Sequence, residues 1–201
     1  MKKYMASILC VLLSLATLLS LTACGEAEQA KDKIDDNTTT AVTERTKLQA
    51  VPPEHKGMIG VWTGTCDYSA LYNFQFGMKF SGIQFNAIEP VTYTFDDEGY
   101  CTLDSNKKAL YDNVMASVET YCAGAGITVD DFYAVIGNTE EGFRDSFLRD
   151  GDTVTKREIY NFSGNTFTWN GITYDCQYDD TTITYSLANG YNVVNLTKQT
   201  S

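Results

Sequence analysis

The chain has one histidine, His55, and it stands at the edge of a polar stretch. Serine, cysteine or metal chemistry that runs through an imidazole is therefore not expected. C-x-x-C pairs are missing, so a structural zinc site is not expected either. No glycine-rich phosphate loop follows a strand-like segment. Positive charge is scarce: 15 Lys+Arg stand against 26 Asp+Glu, for a formal net charge of −11. Nucleic-acid binding needs a basic footprint, so a nucleic-acid partner is excluded. Adsorption to anionic lipid by charge alone is excluded on the same ground. The longest apolar run, Ile8 to Leu21, is shorter than the ~20 residues of a spanning helix. The acidic pairs Asp96-Asp97, Asp130-Asp131, Glu140-Glu141 and Asp179-Asp180 fall at turns and helix starts, where carboxylates cap backbone N–H groups. Asp150-Gly151-Asp152 lacks the remaining ligands of a calcium loop. The chain is expected to be no enzyme and to carry neither cofactor nor metal.

What is present begins at the N-terminus. Lys2 and Lys3 precede the Ile8–Leu21 run, which closes on Leu21-Thr22-Ala23-Cys24-Gly25. Basic start, apolar core and small-residue cleavage site make a secretory signal. The L-T-A-C-G ending resembles the lipobox of bacterial lipoproteins. That resemblance implies a diacylglyceryl group on Cys24 and cleavage before it. Residues 1–23 are then a signal peptide and the chain is lipid-anchored, facing the extracellular side of the cell membrane. Residues 24–55 are acidic and Thr-rich, include Thr38-Thr39-Thr40 and close on Pro52-Pro53. They hold too few large apolar groups to offset ordering entropy and read as a disordered tether. About thirty such residues reach roughly 30 Å.

The folded part is read as residues 56–201. Its clearest region is C-terminal. Val154–Phe162, Thr166–Trp169, Ile172–Tyr178, Thr182–Leu187 and Tyr191–Thr197 read as strands separated by Ser163-Gly164-Asn165, Asn170-Gly171, Asp179-Asp180 and Asn189-Gly190. Asn-Gly supplies the positive φ angles of a type I′ hairpin turn. Alternation puts Ile172, Tyr174, Cys176 and Tyr178 on one face. Upstream, Val91–Phe95 and Cys101–Leu103 flank Asp96-Asp97-Glu98-Gly99, and Gly60–Gly64 starts another strand. Eight strands is the number of the small closed up-and-down barrel. Between the third and fourth, about 105–149, the spacing predicts helices. Leu110, Val114, Val118, Tyr121 and Cys122 share one helix. Thr128 with Asp131 resembles a capping box in its weaker Asp form ahead of Phe132, and Thr139 is expected to cap a third helix. For residues 67–90 a short helix, then an extended lead into the second strand, is the working reading.

Gly60-x-Trp62-x-Gly64 before an eight-strand meander resembles the opening of lipocalins. The lipobox, the tether, the Tyr93–Gly99 hairpin and the Ser163–Phe167 hairpin look like those of lipocalin-like lipoproteins from Gram-positive gut-type bacteria. The resemblance implies a lipocalin-like barrel with a helical insertion. By analogy it also implies ligand capture.

Trp62, Tyr93, Phe95, Tyr160, Phe162, Phe167, Trp169, Tyr174, Tyr178 and Tyr185 should point to the concave side. Two readings follow: a packed core, or a cavity lined by aromatic rings for a small lipophilic ligand. Trp62 is expected to close one barrel end. The first functional expectation is a non-enzymatic binding module. The alternative is a cell-envelope interaction protein with a solid core, whose helical insertion meets a protein partner. Cys66, Cys101, Cys122 and Cys176 either form two disulfides, with three pairings open, or remain thiols.

Overall fold

Hairpin turns and strand alternation close this chain on itself. The computed structural model describes residues 56–187 and 190–200. Its strands are β1 Gly60–Asp67, β2 Ile88–Phe95, β3 Tyr100–Asn106, β4 Thr153–Ser163, β5 Thr166–Trp169, β6 Ile172–Tyr178, β7 Thr182–Leu187 and β8 Asn192–Lys198. Each pairs antiparallel with the next, and β1 pairs with β8, giving a closed barrel in sequence order. Closure removes the exposed edges that an open meander would present. The up-and-down barrel expected from the sequence, with its helical insertion between β3 and β4, is the fold.

Local chemistry explains the turns. Asn170 and Gly171 have φ of 47° and 75°, the positive pair that a type I′ hairpin needs. In the Asn189-Gly190 turn, Asn189 lies outside the described residues, while Gly190 has φ 81°. Asp179 Oδ1 accepts from the backbone N–H groups of Thr181 and Thr182, both at 2.7 Å. Asp96 Oδ1 accepts from Glu98 and Tyr100 N–H at 3.0 and 2.7 Å, and its Oδ2 pairs with Arg157 at 2.8 Å. Desolvation works against the Asp96 carboxylate, but the Tyr100 N–H, Arg157 and the Glu98 N–H together hold its pKa below the ordinary value. Both acidic pairs therefore build turns.

Among the described residues four α-helices complete the fold: α1 Ser69–Gly77 between β1 and β2, then α2 Lys107–Ala125, α3 Val129–Ile136 and α4 Glu140–Leu148 between β3 and β4. Asn106 caps α2, accepting from Ala109 N–H at 2.9 Å. The Thr128–Asp131 box is complete in both directions. Thr139 accepts from Gly142 N–H at 3.0 Å. Gly126 and Gly137 end α2 and α3 in the left-handed conformation.

Two cores result. Inside the barrel lie Met58, Trp62, Cys66, Val91, Tyr93, Phe95, Tyr160, Phe162, Phe167 and Tyr185 with their neighbours. A second core gathers Phe80, Ile83, Phe85, Leu110, Val114, Val118, Phe132 and Phe143. Tyr68 packs against both, so the helical layer sits on the barrel where β1 ends and β2 begins. Asn113 Nδ2 donates to Ile88 O at 2.8 Å and ties α2 to the start of β2. Every described element falls within the compact unit Lys47–Ser201. No helix among the described residues is long and apolar enough to cross a membrane. The signal peptide, Cys24 and the tether lie outside the described residues.

Candidate functional site

The strand registers fix which side chains face inward. Trp62 opposes Tyr93, and Cys66 opposes Glu89. Tyr160 opposes Trp169, Phe162 opposes Phe167, and Phe167 opposes Tyr174. Directly paired residues share a face. All the aromatic residues expected on the concave side therefore belong to the barrel interior, but they do two different jobs.

At the end where the chain enters, the interior is filled. Trp62 is fully buried, and its indole N–H donates to Met58 O at 2.9 Å. Lys198 Nζ lies 5.5 Å from that ring centre, a cation–π contact. Phe95 packs against Tyr160 with centroids 4.7 Å apart, and Phe162 stacks on Phe167 at 4.8 Å. Tyr178 packs on Phe162 at 4.8 Å. The Tyr160 hydroxyl donates to Asp96 O at 2.9 Å. Trp62, Phe95, Tyr160, Phe162, Phe167 and Tyr178 thus belong to one packed cluster at this end of the barrel.

The opposite half is different. Tyr93 and Tyr185 share a hydrogen bond at 2.5 Å. One of their two O–H groups donates within the pair, and the other has no acceptor among the described residues. Tyr174 lies 5.3 Å from the Tyr185 ring, and Trp169 lies 6.4 Å from Tyr93. The Trp169 indole N–H is buried without a hydrogen-bond partner. Desolvation pushes the Tyr93 and Tyr185 hydroxyls well above the ordinary tyrosine pKa.

Beyond this ring stands a polar group that the sequence reading missed. Glu89 is 1% exposed. Tyr68 donates to its Oε2 at 3.0 Å. Lys107 Nζ, from the first turn of α2, lies 2.7 Å from its Oε1. The ammonium compensates the charge at Oε1, whose second lone pair can still accept. Burial pushes the neighbouring Cys66 thiol up to about 12. Asn192, 8% exposed, leaves its Oδ1 without a partner. The signal for Glu89 was in the alternation. Counting back in twos from Phe95 and Tyr93 through Val91 reaches it, but Pro90 made the strand look as if it began later. Pro90 is tolerated because there β2 pairs only with β1, while β3 pairing begins at Val91.

The inner face is also open at one place. β4 pairs with β3 along Thr153–Ile159 but with β5 only over Tyr160–Ser163. Ile172 shares the inward face with Trp169, yet it is 57% exposed. Lys156 faces inward opposite Leu103 and is half-buried. Solvent thus reaches the interior wall beside Trp169 and Tyr174.

Among the described residues the cysteines, Cys66, Cys101, Cys122 and Cys176, are free and buried. Cys122 sits in the helical core, and the other three sit in the barrel core. No group of three or more His, Cys, Asp or Glu side chains among the described residues is arranged to hold a metal ion.

No family model matches the chain. No curated protein matches it. Among solved structures, a mutant of the fluorescent protein UnaG is similar at 12% identity, over 72% of this chain and 98% of that one, with a TM-score of 0.28.

Proposed function

We propose that this chain is a non-enzymatic binding module for a small lipophilic ligand, held at the extracellular face of the cell membrane by a lipidated Cys24. The observation that carries the binding reading is the Trp169 indole N–H, buried and unpartnered on an inner wall that opens at Ile172. A core built only for stability satisfies its buried donors, as Trp62 does. The ligand enters between β4 and the β5–β6 hairpin. Its body lies against Tyr93, Trp169, Tyr174 and Tyr185, above the packed aromatic floor.

Titration with Nile red, a neutral lipophilic fluorophore, tests this. Saturable fluorescence is expected for the parent protein. Trp169→Phe and Tyr185→Ala should weaken it about tenfold, near 1.4 kcal/mol. Val135→Ala, on the exposed face of α3, should leave it unchanged. Equal uptake by all the variants would refute the site. The anchor has its own test: Cys24→Ala should move the protein from the membrane to the soluble fraction, and continued retention would refute lipidation there.

A second reading has one specific support. Phe74 (59% exposed), Met78 (81%) and Tyr191 (37%) put apolar surface beside α1, with Phe74 and Tyr191 rings 5.5 Å apart. A cell-envelope protein partner docking on the helical layer would use that surface. Absence of Nile red uptake by the parent protein would favour it.

A further inference from the structure

We infer that the ligand of this barrel presents N–H or O–H donors to Glu89 and Asn192, and is not a carboxylic acid. The inference rests on the binding reading above and deepens it to a ligand class.

The argument starts from register. Cys66 faces Glu89 across β1–β2 and Val194 across β1–β8, which places Asn192 one inward step beyond Val194 at the same end of the barrel. Tyr68 links the two strands' ends by donating to Glu89 Oε2. Among the described residues, Asn192 Oδ1 at this end has no hydrogen-bond partner and Glu89 Oε1 meets only the Lys107 ammonium, both on side chains more than nine-tenths buried. The neighbouring inward positions of β2 are Val91, Tyr93 and Phe95, so an apolar residue at 89 would continue the wall. Lys107 and Tyr68 compensate the carboxylate and tie α2 and the end of β1 to β2, and a carboxylate oxygen beside one ammonium still has a second acceptor position.

Unsatisfied acceptors are matched by donors. An alcohol, amide or ammonium head group supplies them. A ligand carboxylate brings a second negative charge and more acceptors to the same place, and like charges in a low-dielectric interior repel strongly. The apolar body then extends over Tyr93 and Tyr185 toward Trp169, whose N–H takes an acceptor further along the molecule. Lys156, half-buried on β4, is the site's other inward cation. A carboxylate seated there is the competing arrangement.

Three probes with one apolar body decide between them: 2-naphthylmethanol, 2-naphthylmethylamine and 2-naphthoate. Each is titrated calorimetrically at pH 7 into Lys47–Ser201, the unit that holds both cores and the closing β1–β8 pair. The alcohol and the amine should bind at least about tenfold tighter than the acid. In Glu89→Gln the acid should rise to within about threefold of the alcohol, a change of ranking that a merely structural role would not produce. Asn192→Leu leaves the ion pair intact and should weaken the alcohol about tenfold, which keeps the test open if Glu89→Gln does not fold. Naphthoate binding as tightly as the alcohol overturns the inference and leaves the binding reading standing. So does Nile red uptake with no affinity for any of the three. A folded Glu89→Gln with unchanged ranking also overturns it. Failure of all three probes and of Nile red overturns the binding reading itself.

Discussion

Glu89 and the buried thiols are the residues at which this fold departs from a plain apolar barrel. A glutamate facing inward among Val91, Tyr93 and Phe95 is tolerated because Lys107 and Tyr68 reach it from outside the strand. It was legible only as a strand position, since no motif marks it. The thiols were legible as four cysteines, but pairing depends on which core each enters, and spacing does not encode that. Desolvation pushes Cys66 and Cys176 up to about 12, and Cys101 and Cys122 also above the ordinary thiol value. Thiolate is the reactive form. Iodoacetamide at pH 8 should therefore leave all four unlabelled in the native protein and label all four in urea, as read by peptide mass mapping. Disulfides would block labelling in both. The titrating carboxylates give a second expectation. Asp179 is lowered to about 2 by hydrogen bonds from the Thr181 hydroxyl and from the Thr181 and Thr182 N–H groups. Asp96 and Asp131 are lowered too. A depressed folded pKa gives stability that is present above the unfolded value of 3.8 and lost as pH falls through the folded value. Urea midpoints should fall between about pH 4 and pH 2, and Asp179→Asn should flatten that fall. A midpoint unchanged over this window would contradict the assignment.

Among the elements, those specified by local chemistry were readable. The C-terminal meander followed from period-two alternation and Asn-Gly turns, and α3 and α4 followed from their caps. Helix α1 was harder to read because Phe74, Phe76, Met78 and Phe80 also alternate like a strand. The protein resolves this by exposing Phe74 and Met78 while packing Phe76 and Phe80 against Phe132. Phe132 itself is fully buried at the centre of the helical core. The start of β2 was hidden by Pro90. Thr128→Ala removes the α3 cap and should cost about 1 kcal/mol. Because the box lies in the helical layer, the barrel's near-ultraviolet signal should persist. Gly64 shows what the G-x-W-x-G spacing is for. A Cβ at Gly64 would overlap the Asn195 carbonyl oxygen, where β8 crosses β1. Gly64→Ala should cost more than the ~1–3 kcal/mol of ordinary overpacking. Thermal melts measure both, and a neutral Gly64→Ala would contradict the tight β1–β8 approach.

At the scale of the molecule, an aromatic floor seals one end of the barrel and a helical layer with its own core covers the other. Between them lies a belt of Tyr68, Glu89, Tyr93, Trp169, Tyr185 and Asn192. The sequence reading found the aromatic half of this belt, since rings on one strand face follow from alternation. It missed the polar half, because buried orphan atoms appear only when several strands and a helix come together. The central claim is that this belt holds a small lipophilic molecule. Native mass spectrometry of Lys47–Ser201 purified mildly from its own host, before and after incubation with Nile red, tests that most directly. The account expects an added mass that organic solvent strips and that Nile red displaces. A bare polypeptide mass in both spectra would contradict it.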